Sequence, residues 1–174
     1  MRSFMKQRPP KLFLGVGNVL KHDEGVGVRA AELLGALPLP SDVEVFDAGT
    51  LGIDTAGVLE DRELVVVVDA LDSDAEPGAV FRLTPDQIAP MVHGGLSVHD
   101  IHFLDALDET RLLGREPSRV IIFAVQVADV STGLGLTAPV ERALDRVVTL
   151  AGRELGVPEA VLQRATTLES SWSA

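Results

Sequence analysis

The stretch Leu64-Val65-Val66-Val67-Val68-Asp69 decides the fold. Its valines show no polar alternation, which is the pattern of a strand covered on both faces and therefore of an interior parallel strand. Asp69 follows directly. A carboxylate carried to the end of a buried strand is costly unless a cation or a hydrogen-bond network meets it.

Outward from that strand, strand and helix signals alternate. Residues 12–16 read as strand, 25–37 as helix and 43–46 as strand, with Pro38 and Pro40 separating the last two. Residues 53–59 read as a short helix, 79–83 as a short strand suited to an edge, and 84–95 as a loop region of undecided helical content. Ser97 is an N-cap with Asp100 in the first turn, and Ile101, Leu104 and Leu107 give the helix an apolar side. Residues 120–127 form the last strong strand. A helix begins near Thr137 with Val140, Leu144, Val147, Val148 and Ala151 at helical spacing, and the small, polar tail 166–174 is expected to be disordered. The pattern predicts a three-layer α/β/α domain with about five mostly parallel strands.

With 174 residues, 46% of them hydrophobic, the chain fits one domain spanning 1–174, its core at 11–156. A formal charge of −11 without a Lys/Arg cluster argues against nucleic acid, whose affinity rests on neutralised phosphates. No run approaches a membrane span, so a cytoplasmic location is the expectation. The chain has no cysteine, which excludes disulfides, thiolate nucleophiles and sulfur ligands and leaves oxygen and imidazole for any metal.

Ligands of open α/β sheets bind outside the carboxyl ends of strands, and Glu24, Asp69 and His99 all belong at that rim. Two carboxylates and an imidazole make an open metal site. Each has a plainer reading. An acid at a helix start is often only a partner for the helix dipole, which covers both Asp23 and Glu24. His99 competes as a ligand with His93 and His102. Asp47-Ala48-Gly49-Thr50 leaves the second strand at the same rim, either as an Asp/Gly turn or as a catalytic or substrate-binding carboxylate with its loop. Gly15-Val16-Gly17 invites a nucleotide reading, but Leu20 stands where the third glycine of the dinucleotide fingerprint would fall. No G-x-S-x-G elbow or H-E-x-x-H pair is present.

The segment Gly15-Val16-Gly17-Asn18-Val19-Leu20-Lys21-His22-Asp23-Glu24-Gly25-Val26-Gly27-Val28-Arg29 resembles the opening of the hydrogenase maturation proteases, G-x-G-N-x-L-x-x-D-E-x-x-G-x-R. Asp47-Ala48-Gly49-Thr50 resembles their D-G-G-T element with Ala for one glycine, Val68-Asp69-Ala70 their strand-end aspartate and Ser97-Val98-His99 their histidine. Gly135-Leu136-Thr137-Ala138-Pro139-Val140 is similar to their late G-L-T/S-P-x-V segment, so the likeness covers residues 12–150.

That resemblance implies an endopeptidase that removes a C-terminal extension from the large-subunit precursor of a nickel-iron hydrogenase. It implies that Glu24, Asp69 and His99 contact nickel supplied by the precursor, with Asp47 in the substrate cleft beside Gly49 and Thr50. It also selects His99 over His93. With no cysteine and no serine triad, water is the expected nucleophile, activated by the metal or by Asp47 or Asp69.

Overall fold

β3 (Leu64–Leu71) is buried along its whole length, as its unbroken apolar run requires. The computed structural model describes residues 8–50, 56–92 and 98–169, of which 89–92, 98–102 and 165–169 through their backbone alone. β1 (Lys11–Val16) and β5 (Val120–Gln126) flank β3, both parallel to it. β2 (Val43–Gly49) pairs in parallel with β1, and β4 (Val80–Leu83) closes the far edge antiparallel to β5. The order is β2-β1-β3-β5-β4. The expected five-stranded, mostly parallel sheet is present, with its short strand at an edge.

Helices cover both faces. α1 (Val26–Gly35), α5 (Ala138–Glu154) and α6 (Glu159–Glu169) lie on one, where Val26, Leu34, Leu144, Val148 and Leu162 join Phe13, Val66, Val68 and Phe123 in a single core. α2 (Ala56–Leu59), α3 (Pro85–Val92) and α4 (Val98–Leu112) lie on the other, packing Leu59, Ile88, Phe103 and Ala106 on Leu12, Leu14, Val65 and Val67. Burying side chains of the Val, Leu and Phe class contributes about 1.5–3 kcal/mol each. Two half-cores therefore clamp the central valines. Among the described residues no helix is long and apolar enough to cross a membrane.

The structure changes three sequence expectations and settles one that was open. Asp69 does not end its strand: β1 stops pairing at Gly15↔Val68, but β5 carries β3 on through Asp69↔Ala124 to Leu71↔Gln126. The 84–95 region, whose helical content the sequence left undecided, holds α3: Gln87 Oε1 accepts the Thr84 N–H at 2.9 Å and the Thr84 hydroxyl at 3.2 Å, and Pro85 begins the helix, where no N–H is needed. The tail is helical to Glu169, because Pro158 and Glu159 start α6 and Leu162 packs against Gly152 of α5. On α4 the buried stripe is Phe103, Ala106, Leu107 and Thr110, with Leu104 at its flank; Thr110 satisfies its hydroxyl on the Leu107 carbonyl at 2.7 Å. The Ser97 cap and His93 lie outside the described residues.

Candidate active site at the switch point of the sheet

The chain leaves β1 to one side and β3 to the other, so the carboxyl ends of these two neighbours form the switch point of the sheet. Beyond the β1–β2 ladder, Gly17 N–H still reaches the Gly49 carbonyl at 2.9 Å. Asn18 then turns the chain: its side-chain oxygen accepts Leu20 N–H at 3.0 Å, its carbonyl accepts Lys21 N–H at 3.1 Å, and its own N–H donates to the Glu24 carbonyl at 3.0 Å. This brings the single 3-10 turn His22–Gly25 back against β3. Glu24 is 7% exposed there, with Lys21 Nζ 3.5 Å from its Oε1.

The glycines serve that turn. A Cβ on Gly17 would lie 1.8 Å from the Glu24 carbonyl oxygen, and one on Gly27 would lie 2.1 Å from Val16 O and 2.3 Å from Val68 O. These glycines therefore let the backbone of the turn pack closely on β1 and β3.

Asp69 is 5% exposed and accepts its neighbour's backbone N–H, from Ala70, at 2.8 Å. Side chains alternate along a strand, and Val65 and Val67 belong to the α4-side core, so Asp69 projects to that same face. The α4 helix ends near the amino rim, where the Arg115 and Arg119 carbonyls receive N–H groups of Asp61 and Val65. At 1.5 Å per residue its 15 residues span about 22 Å, which returns its first turn, with His99, to the carboxyl rim. The side chains of His99 and His102 lie outside the description, so among the described residues the expected trio is present as two carboxylates, and no group of three potential ligands stands together.

Asp47 stands apart. Phe46 and Ala48 point into the α4-side core, so Asp47 projects to the α1 side, exposed, in a shallow groove of about 440 Å³ that includes Glu32, Leu37, Leu39 and Val45. Its Oδ1 accepts the Gly49 N–H at 2.8 Å, and Gly49 has φ 48°. The Asp/Gly turn reading describes this contact. It shapes the loop that presents Thr50.

Sequence reasoning gave Asp23 only a helix-dipole role and Thr137 only a helix start, and it passed over Gln126. Asp23 is fully buried, and its carboxylate accepts Ala128 N–H at 2.8 Å, Asp129 N–H at 3.1 Å, Thr137 N–H at 2.6 Å and the Thr137 hydroxyl at 2.8 Å. Thr137 occupies the N-cap of α5, yet its hydroxyl serves Asp23 rather than its own helix. Gln126, at the end of β5, accepts the Ser73 N–H at 3.1 Å and hydroxyl at 2.5 Å and donates to the Ser73 carbonyl at 3.0 Å. These two clasps fix the loops on either side of the switch point.

Fold and rim together define a doubly wound α/β domain with a carboxylate-rich site where its strand order reverses. The HycI family model, described as hydrogenase maturation protease, matches residues 28–154. The hydrogenase 2 maturation protease of Escherichia coli (strain K12) is 34% identical over 160 residues, covering 88% of this chain and 96% of that one. The hydrogenase expression/formation protein HupD of Bradyrhizobium diazoefficiens is 35% identical over 144 residues, 80% of this chain and 74% of its own. Among solved structures, the hydrogenase maturating endopeptidase HybD from E. coli superposes with a TM-score of 0.73 at 32% identity, covering 84% of this chain and 94% of that one. The chain belongs to the hydrogenase maturation proteases, a family of hydrolases.

Proposed function

We propose that the protein is the endopeptidase that trims a C-terminal extension from the nickel-loaded large-subunit precursor of a nickel-iron hydrogenase, working in the cytoplasm. The observation that carries this reading is the packing of the Glu24 turn against the strand of Asp69, two nearly buried carboxylates at one switch point in a chain of this family. Nickel belongs to the precursor and enters as part of the substrate. Oxygen donors from Glu24 and Asp69 with an imidazole from His99 suit a borderline divalent ion while leaving positions for the precursor's own groups.

In the proposed hydrolysis, water adds to the scissile carbonyl carbon, the C–N bond breaks, and the proton lost by water passes to the departing amine. We assign the proton transfer to Asp69, which lies at the switch point on the α4 side. Asp47, bonded to Gly49 on the α1 side, together with Thr50 shapes the path of the peptide into the cleft.

The test is the mass of the precursor after incubation with the protein. Nickel-loaded precursor should lose its extension without added metal, and nickel-free precursor should stay intact even beside enzyme preincubated in zinc. Cutting of the nickel-free form would overturn nickel as the recognition mark. Failure to cut either form would overturn the protease assignment.

A further inference from the structure

We infer that Asp23 is a positioning residue for Glu24, acting through a clasp between the 3-10 turn and the loop that joins β5 to α5. This rests on the proposed role of Glu24. A fully buried carboxylate is costly unless hydrogen bonds replace its lost water. Asp23 obtains them from Ala128, Asp129 and Thr137, at 2.6 to 3.1 Å, all on that one loop. The loop returns the contact: Asp23 N–H donates to the Asp129 carbonyl at 3.1 Å and His22 N–H to the Gly133 carbonyl at 3.0 Å.

A second observation points the same way. His22 adopts φ 43°, an uncommon conformation for a non-glycine residue, and such strain persists where its surroundings over-determine it. Here the surroundings are the same loop: His22 Nδ1 is 3.0 Å from the Gly135 carbonyl, and a Cβ on Gly133 would lie 2.0 Å from the imidazole Nε2. Two residues before Glu24 are thus held by the β5–α5 loop, while the Glu24 carbonyl is held by Asn18. The backbone carrying the Glu24 carboxylate is fixed from both sides. Replacing Asp23 by Asn leaves one amide oxygen for four donors and turns an NH2 toward N–H groups, so the turn must shift.

The experiment is a double-mutant cycle on cleavage of nickel-loaded precursor, with kcat, KM and melting temperature measured for wild type, D23N, E24D and D23N/E24D. Misplacement by about 1 Å can cost about 100-fold in rate, so D23N should lower kcat about 10- to 100-fold and leave KM within about threefold. In E24D the carboxylate is already displaced, so adding D23N should cost less than about threefold more. T137S, which keeps the hydroxyl, should match wild type, and T137V should slow kcat. Multiplying losses in the double variant, or a D23N loss that only tracks the folded fraction, would overturn the positioning role. If D23N does not fold, T137V and T137V/E24D complete the same cycle. E24Q separates the two readings: wild-type turnover by E24Q overturns the Glu24 assignment and the positioning role with it, whereas an inactive E24Q beside a fully active D23N overturns the positioning role alone.

Discussion

The two rims of this sheet treat buried charge in opposite ways. At the amino rim the buried ion is a cation: the Arg62 guanidinium is sealed beneath α2, gives NH2 to Glu44 at 2.7 Å, Nε to the Val58 carbonyl at 2.9 Å and NH1 to the Pro9 carbonyl. Lys11 meets Asp42 at 2.9 Å and Arg115 meets Asp61 on the same side. At the carboxyl rim the buried ions are anions, Asp23, Glu24 and Asp69. Asp23 is satisfied by backbone N–H groups and a hydroxyl rather than by a cation. Opposite charges neutralise one another at one end to hold the fold. At the other end three carboxylates are buried, and the half-exposed Lys21 comes within 3.5 Å of one of them, Glu24.

The contrast can be broken at either end. Asp69→Asn should reduce precursor processing by at least about 1,000-fold, since triad-scale losses follow removal of a group that acts on the reacting atoms. Its melting temperature should change little, because Asn keeps the shape of the side chain and its Oδ1 can still accept the Ala70 N–H. Processing within tenfold of wild type would make the two rims equivalent. Arg62→Met should do the reverse, lowering stability by about 2–4 kcal/mol in denaturant melts through three lost bonds and unpaired acceptors, with turnover per folded molecule unchanged. Gly133→Ala sharpens the comparison, since its Cβ must displace the His22 ring; stability should fall by about 1–3 kcal/mol and turnover should fall with it. A stability loss without a rate loss would assign Gly133 to the fold alone.

The smallest effect is in acid. The side-chain bond from Lys11 holds the Asp42 carboxyl below its ordinary range, and the Ser131 N–H does the same for Asp129. A depressed native pKa contributes stability that is present above the unfolded value and lost as pH falls through the native one, so both contributions should fade below about pH 4. Lys11→Met should therefore differ from wild type in denaturant midpoint at neutral pH and converge with it in strong acid. High salt should shrink the Lys11 difference, and an unchanged difference would refute its electrostatic origin.

Much of the architecture was legible because its signals are local. Val65 to Val68 report burial on both faces by composition alone, and Val140, Leu144 and Val148 report one helix face by spacing. α3, left undecided in the sequence, had its signal in Thr84-Pro85-Asp86-Gln87, a four-residue pattern in which the Gln87 side chain caps the Thr84 N–H. The extension of β3 past Asp69 was not, because the partner that prolongs it, Ala124 to Gln126, lies more than fifty residues away. Asp23 is the sharpest case. Its donors stand 105, 106 and 114 residues further on, so spacing around it resembles that of any acid at a helix start. Glu24 and Asp69 could be named from strand exits, but the opposite orientations of Asp69 and Asp47 required the register of β2 and its irregularity beside Gly15.

The bonds to Asp23 also set a timescale. Ala128, Asp129 and Thr137 donate their amide hydrogens to one carboxylate, so none can meet solvent until that carboxylate lets go, and the His22 and Asp23 amides are bonded to the same loop. Five amides drawn from two distant parts of the chain thus belong to one opening unit, with a single free energy of release. In hydrogen–deuterium exchange they should lose protection at a common rate, slower than the exposed loop around them. Their shared lifetime would be the dwell time of the clasp that Asp23 holds.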